Sequence, residues 1–256
     1  MKKGIIQILA ALFLSLLVQG GVFRVGSYNI KHGCGMDQKI DLNRIAATLA
    51  KIDADVITLQ EVDKNCQRSG NIDLAAQLAK KLKMDYRFAA SFPYDGGQYG
   101  LAVLSRLPIE EMKQHRLPGG SEPRAALEVK IRLQSINFPV SVVSIHNDWV
   151  SDEVRCRQIN SLLDQISSRA HPVILAGDFN AEPHEDSMGI LVQKGWVILD
   201  KKGAKTCPAD LPTLAIDHLV TKDLSWELLG CRVLEEKIAS DHRPILAEWK
   251  IPAGGS

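Results

Sequence analysis

At 256 residues, 45% hydrophobic and 24% charged, the chain has the make-up of an ordinary globular protein with one sizeable core. Its formal charge of +1 excludes a global electropositive field, and with it the tight sequence-independent nucleic-acid binding that needs many Lys and Arg contacts to phosphate; a local basic groove stays open. The five cysteines (Cys34, Cys66, Cys156, Cys207, Cys231) hold no CxxC pair, which argues against a zinc cage, and their odd number leaves at least one thiol unpaired within the chain.

In chain order, Lys2 and Lys3 precede an apolar run over residues 5–18, the signature of an export signal. Residues 1–20 are therefore expected to be a signal peptide, residues 21–256 one catalytic domain, and the protein exported to periplasm, surface or medium. An uncleaved membrane anchor is the alternative, although the run falls short of the ~20 residues of a full span. Strands are expected over 23–30 and 56–60, separated by a helix over 42–52 with Asp41 as its N-cap. An amphipathic helix over 72–83 and strands over 86–91, 101–105, 126–133 and 140–146 follow. A helix over 153–168, capped by Ser151 or Asp152, leads into the short buried strand 173–176. A helix over 186–194 and strands over 196–199, 216–221 and 244–249 complete the chain. Strands outnumber helices without strict βα alternation, so two packed mixed sheets with helices outside fit better than one doubly wound sheet.

The chemically capable residues fall at strand ends. Asn29 closes the first strand in SYNIKHG, Glu61 the second in LQEVD, and His146 a later one in SIHND. Asp178 and Asn180 end the apolar run of GDFNAEP, Asp217 interrupts IDHLV, and Asp241 and His242 precede the last strand in SDHRPI. Singly, each has an ordinary reading, since an Asn after a strand is usually a turn residue and a lone His is usually packed into a core. Asp217 is harder to dismiss, because a carboxylate inside an apolar strand needs a partner, and His242 is a candidate. Six strand ends bearing a carboxylate, carboxamide or imidazole are a poor match to chance. Their oxygen donors suit a hard divalent cation such as magnesium, and the chemistry that calls for such a site is phosphoryl transfer to water.

The ordered set SYNIKHG, LQEVD, GLAVLSR, SIHND, GDFNAEP, IDHLV and SDHRPI resembles the endonuclease/exonuclease/phosphatase superfamily, typified by deoxyribonuclease I and the abasic-site endonucleases, over roughly residues 24–250. The resemblance implies an α/β fold, a four-layer α/β/β/α sandwich of two mixed β-sheets flanked by helices, with a Mg²⁺- or Mn²⁺-dependent phosphoesterase site at one edge. It implies Glu61 as main metal ligand with Asn29 supporting it and Asp241 as a metal-proximal acid. Asp178 would orient or deprotonate the attacking water, Asn180 would contact the scissile phosphate, and His146 would stabilise phosphoryl charge. His242, held by Asp217, would serve as an imidazolium, and Arg124 in EPRAALEV resembles an arginine turned toward phosphate, with a surface role equally open. Neither Asn147 nor Asp148 is assigned a role, and Tyr99 either lines the pocket or packs beneath it.

The expected function is hydrolysis of phosphate esters, phosphodiesters first, by metal-assisted in-line attack of water. The substrate would be a phospholipid head group or nucleic acid, and the protein a monomer with no obligate protein partner. A noncatalytic binding module that keeps the sandwich is the rival from another class; it would be expected to lose part of the polar set, yet every matched position is chemically competent.

Overall fold

The computed structural model describes residues 21–133 and 136–252. The signal peptide expected over 1–20 lies outside the described residues. Among the described residues, twelve strands form two sheets of six. The first sheet takes β1 (Val22–Asn29), β2 (Val56–Lys64), β3 (Asp85–Tyr94), β4 (Gly97–Ser105), β11 (Glu227–Val233) and β12 (Ile245–Lys250), in the order β11-β12-β1-β2-β4-β3. The second takes β5 (Ile109–Arg116), β6 (Ala125–Leu133), β7 (Phe138–His146), β8 (Val173–Asp178), β9 (Val197–Ile198) and β10 (Asp217–Lys222), in the order β5-β6-β7-β8-β10-β9.

Helices α1 (Leu42–Ile52) and α2 (Leu74–Leu82) cover the first sheet, and α3 (Asp152–Ile166) and α4 (Asp186–Gln193) the second. Helix α1 buries Ile45, Ala46, Leu49 and Ile52, the 3.6-residue stripe that a sheet-covering helix needs. The Asp41 side chain starts it by accepting from the Asn43 and Arg44 amides, and Asp53 stops it in the left-handed conformation. Ser151 caps α3 through the Val154 amide, with Asp152 and Glu153 in its positive first turn. Between the sheets lies a core that includes Phe23, Val25, Val129, Val142, Ile174, Leu219 and Trp249. Each such fully buried side chain contributes about 1.5–3 kcal/mol. The layers are thus the α/β/β/α order expected.

The two strands that sequence patterning passes over, β5 and β11, lie at sheet edges and carry mostly exposed residues. IEEMKQHR has no apolar alternation because its side chains are mostly exposed on both faces. The five cysteines are free thiols.

Topology decides where chemistry can sit. Strands β1 and β2 run parallel around α1, and β7 and β8 run parallel around α3. Strands β10 and β12 run antiparallel to β8 and β1. Residues ending β1, β2, β7 and β8 therefore share one edge with residues preceding or opening β10 and β12, where open α/β sheets place their ligands.

Candidate active site

Each polar strand end reaches that edge by an identifiable local device. In β2 the register with β4 slips between Leu59 and Val62, and Glu61 takes φ +57° inside this bulge. A bulge re-aims a side chain that the alternating pleat would otherwise bury or expose wholly. In β8, Gly177 lies opposite Ile145, and a Cβ there would come within 2.0 Å of the Ile145 carbonyl oxygen. Only glycine lets the two backbones close up, and the next pair in register is His146 with Asp178. Asp217, first residue of β10, sits directly across from Asp178 on the other side.

The resulting constellation is tight. One amide nitrogen, Asn29 Nδ2, donates to both Glu61 Oε1 (2.9 Å) and Asp178 Oδ2 (3.1 Å), joining the two sheets. His146 Nε2 and His242 Nε2 lie 3.6 and 3.7 Å from the same Asp178 oxygen. His242 Nδ1 meets Asp217 Oδ2 at 2.9 Å, and Arg124 Nη1 meets His146 Nδ1 at 3.0 Å. Asn180, at φ +50°, gives its amide N–H to Asp178 Oδ1 and its Nδ2 to the Asn147 carbonyl. Phe179, between the two polar residues, turns back into the core against His218.

Protonation follows from these contacts. A guanidinium only donates, so His146 Nδ1 must accept and its proton rests on Nε2. Burial, Arg124 and His242 all hold His146 well below the usual histidine range, leaving it a neutral donor rather than a cation. For His242 burial pulls the same way, but the Asp217 and Asp178 carboxylates overcome it and raise the ring well above its ordinary value. Asp217 is buried too, yet the His242 imidazolium and the Thr206 hydroxyl keep it below the usual carboxylate range. Asp178, pushed by burial and by Asp217 against the pull of His242, rises to about 7. Burial also raises Glu61, opposed by the Asn29 hydrogen bond.

Asp241 stands beside this group: its Oδ2 pairs with Lys31 Nζ at 2.8 Å, and its charge helps to raise Glu61. Asn29 acts as a spacer between carboxylates, with its Oδ1 accepting from the Lys31 amide. Asp178, Asp217 and His242 each offer a ligand atom, all within 4.8 Å of one another, a buried cluster that could hold a metal ion. His242 Nδ1 and Asp217 Oδ2 are already spent on each other, however. Of the strand-end carboxylates, Glu61 and Asp178 face the cleft, and their oxygens are donors that fit a hard divalent cation.

These residues line one side of a cleft of about 300 Å³. Its remaining wall includes Arg68, Phe92, Tyr94, Tyr99, Glu122 and Trp149. Of these, Tyr99 is suggested by the sequence and Glu122 opens EPRAALEV without being singled out; the others lie outside the motifs, and the β3–β4 turn Asp95-Gly96 in FPYDGGQYG is the signal that an aromatic hairpin is there. Asp148 proves to be an organiser, accepting from Ser121 N and Oγ and from the Val150 and Ser151 amides, so the loop leading to Arg124 is tied to the loop after β7.

Residues 26–242 match the Endonuclease/Exonuclease/phosphatase family, and the chain belongs to it; members of this family are phosphoesterase hydrolases. Among its relatives, the uncharacterized protein YbhP of Escherichia coli K12 is 26% identical over 248 residues, covering 88% of this chain and 95% of YbhP. A functionally unknown conserved protein from Enterococcus faecalis superposes with a TM-score of 0.75 at 23% identity, covering 90% of this chain and 100% of that one. A mannosyl-6-phosphatase of Bacteroides thetaiotaomicron gives a TM-score of 0.71 at 20% identity, covering 89% and 99%.

Proposed function

We propose that this chain hydrolyses phosphate esters by in-line attack of water on phosphorus, assisted by a divalent cation of the Mg²⁺ or Mn²⁺ type. The observation that carries the reading is the sharing of one Asn29 nitrogen by Glu61 and Asp178 beside two histidines, one backed by Arg124 and the other by Asp217. Glu61 would hold the cation, with Asp178 at its side. When bound, the cation neutralises charge on the nonbridging phosphoryl oxygens. Asp178, whose carboxyl is raised by burial and by Asp217 and which sits between the two imidazoles, is placed to orient the attacking water or take its proton. His146 Nε2–H, His242 Nε2–H and the free Asn180 amide hydrogen are preorganised donors for the charge that builds on phosphorus-bound oxygen. Asp217 keeps His242 oriented and protonated.

Release of nitrophenol from bis(4-nitrophenyl) phosphate should require Mg²⁺ or Mn²⁺, cease with chelator, and fall by at least ~10²-fold in Glu61→Gln and His242→Ala. Wild-type rates in either variant would remove the proposal. The same assay with 4-nitrophenyl phosphate separates diesters, the expectation from sequence, from monoesters. We further propose that the protein is exported, on the Lys2-Lys3 start and apolar run of residues 5–18. Recovery from the expressing cell's cytoplasm with residue 1 intact would contradict it.

A further inference from the structure

Beyond the polar pole, the cleft has a second pole of different character. The β3–β4 hairpin turns through Asp95 and Gly96, both at positive φ, and β3 bulges between Ala90 and Phe92. These two features carry Phe92, Tyr94 and Tyr99 to the cleft edge as a cluster, with Phe92 5.2 Å from Tyr99 and 6.0 Å from Tyr94 between ring centroids. Across the opening, Trp149 is 62% exposed and lines the same cleft. A large indole left in water beside a polar site is an unfilled contact surface. Arg68 is fixed among these rings. Its fork is bidentate to the buried Asp63, both bonds 2.8 Å, and its guanidinium lies 4.3 Å over the Tyr94 ring. Glu122, tied to Arg124 at 3.1 Å, adds an acceptor.

Resting on the phosphoesterase reading, we propose that this second pole is the leaving-group subsite, and that the substrate is a compact phosphate ester of a sugar ring. The flat aromatic faces suit the C–H face of a sugar or the base attached to one, while the charged edges of Arg68 and Glu122 suit hydroxyls. An alkyl chain in this place would strip water from Arg68 and Glu122 and return no hydrogen bond. The volume, about 300 Å³, lies at the small end of ligand sites, which span roughly 300–1,000 Å³. Phosphate at the His146–Asp178–His242 pole and the ring against Phe92 and Trp149 fill both ends.

The test is calorimetric titration in an Asp178→Asn background, where turnover is silent, with glucose 6-phosphate, adenosine 5′-monophosphate, glycerol 2-phosphate and inorganic phosphate as probes. One or both ring esters should bind about tenfold tighter than the acyclic ester and inorganic phosphate. Trp149→Ala, a change at an exposed position, and Tyr94→Ala should each erase most of that advantage and leave inorganic phosphate binding unchanged. The stronger of the two ring probes identifies the source as free sugar phosphate or nucleotide. Equal binding of ring and acyclic esters, unchanged selectivity in both variants, or tighter binding of a DNA oligonucleotide or phosphatidylglycerol vesicles overturns the subsite. Ring-selective binding in a protein whose wild type hydrolyses no ester would instead overturn the phosphoesterase reading and keep the subsite.

Discussion

Two histidines within 4 Å of one carboxylate oxygen are pushed in opposite directions, and what stands behind each ring is a large part of the difference. Arg124 backs His146 and forbids a proton on Nδ1; Asp217 backs His242 and demands one. The sign of the second effect is definite. A ring raised above its unfolded value of ~6.5 adds stability that is full below that pH and is lost as pH climbs through the raised folded value. In Asp217→Asn the His242 ring, followed by NMR, should titrate well below its wild-type position, because the larger of the two carboxylate effects is gone. Turnover at pH 7.5 should fall by about 10²–10⁴-fold, since the donor charge is lost with the proton. An unshifted His242 titration would deny Asp217 this role. At the same scale, the motif residues were legible because their chemistry is conspicuous in apolar surroundings. The partner of Asp241 was not legible, because sequence shows an acid beside His242 but not Lys31, more than two hundred residues earlier, pairing with it.

Elements away from the cleft have their own buried polar knot. On β6, Glu128 accepts from Arg169 Nε (2.8 Å) and Nη2 (2.7 Å) and from Ser141 Oγ (2.7 Å), and stands 2.8 Å from His115 Nε2. Burial alone would raise this carboxyl, but the hydrogen bonds from Arg169, His115 and Ser141 drive it well below the usual range. A depressed carboxylate contributes stability that is full above its unfolded value of ~4.3 and is lost as pH falls through the folded one. Glu128→Gln should cost about 3–5 kcal/mol at pH 7, because it strands the buried partners. It should also flatten the fall in stability between pH 4 and pH 2, both read from urea melts. A variant with the wild-type slope would place the acid sensitivity elsewhere. Strand β6 itself was legible from AALEVKIRL, whereas its neighbour β5 was not, since His115 is the one residue of IEEMKQHR that is buried and no apolar alternation shows.

Whole-molecule order decides whether the two half-sites meet. Glu61 belongs to the first sheet, His146 and Asp178 to the second, and the facing sheets are cross-linked by polar bonds within an otherwise apolar interface. Thr58 Oγ1 donates to the Ala176 carbonyl (3.1 Å), Gln60 Nε2 to Ser144 Oγ (3.1 Å), and Ser144 Oγ to the Leu59 carbonyl (3.2 Å). Ser144→Ala should cost about 1–3 kcal/mol by orphaning buried partners. It should also lower kcat about tenfold or more while KM moves little, because small misplacements between reacting groups are expensive. A stability loss with unchanged kcat would make Ser144 merely a packing residue. This cross-link was invisible in the sequence: Thr58, Gln60 and Ser144 sit in strands whose neighbours are apolar, and nothing local says that they face one another across a sandwich.

The partnering of β1 with β12 has a spatial corollary. Val22 lies beside Lys250, and the Ile251 amide reaches the Gly21 carbonyl at 2.8 Å, so both ends of the described chain meet at the rim where β1 begins. Eight residues of strand, about 26 Å, separate that rim from Asn29. Gly21 and Ile251 therefore lie at the opposite end of β1 from the cleft that Asn29 borders, so a bead joined to a chain that starts at Gly21 would leave the cleft open.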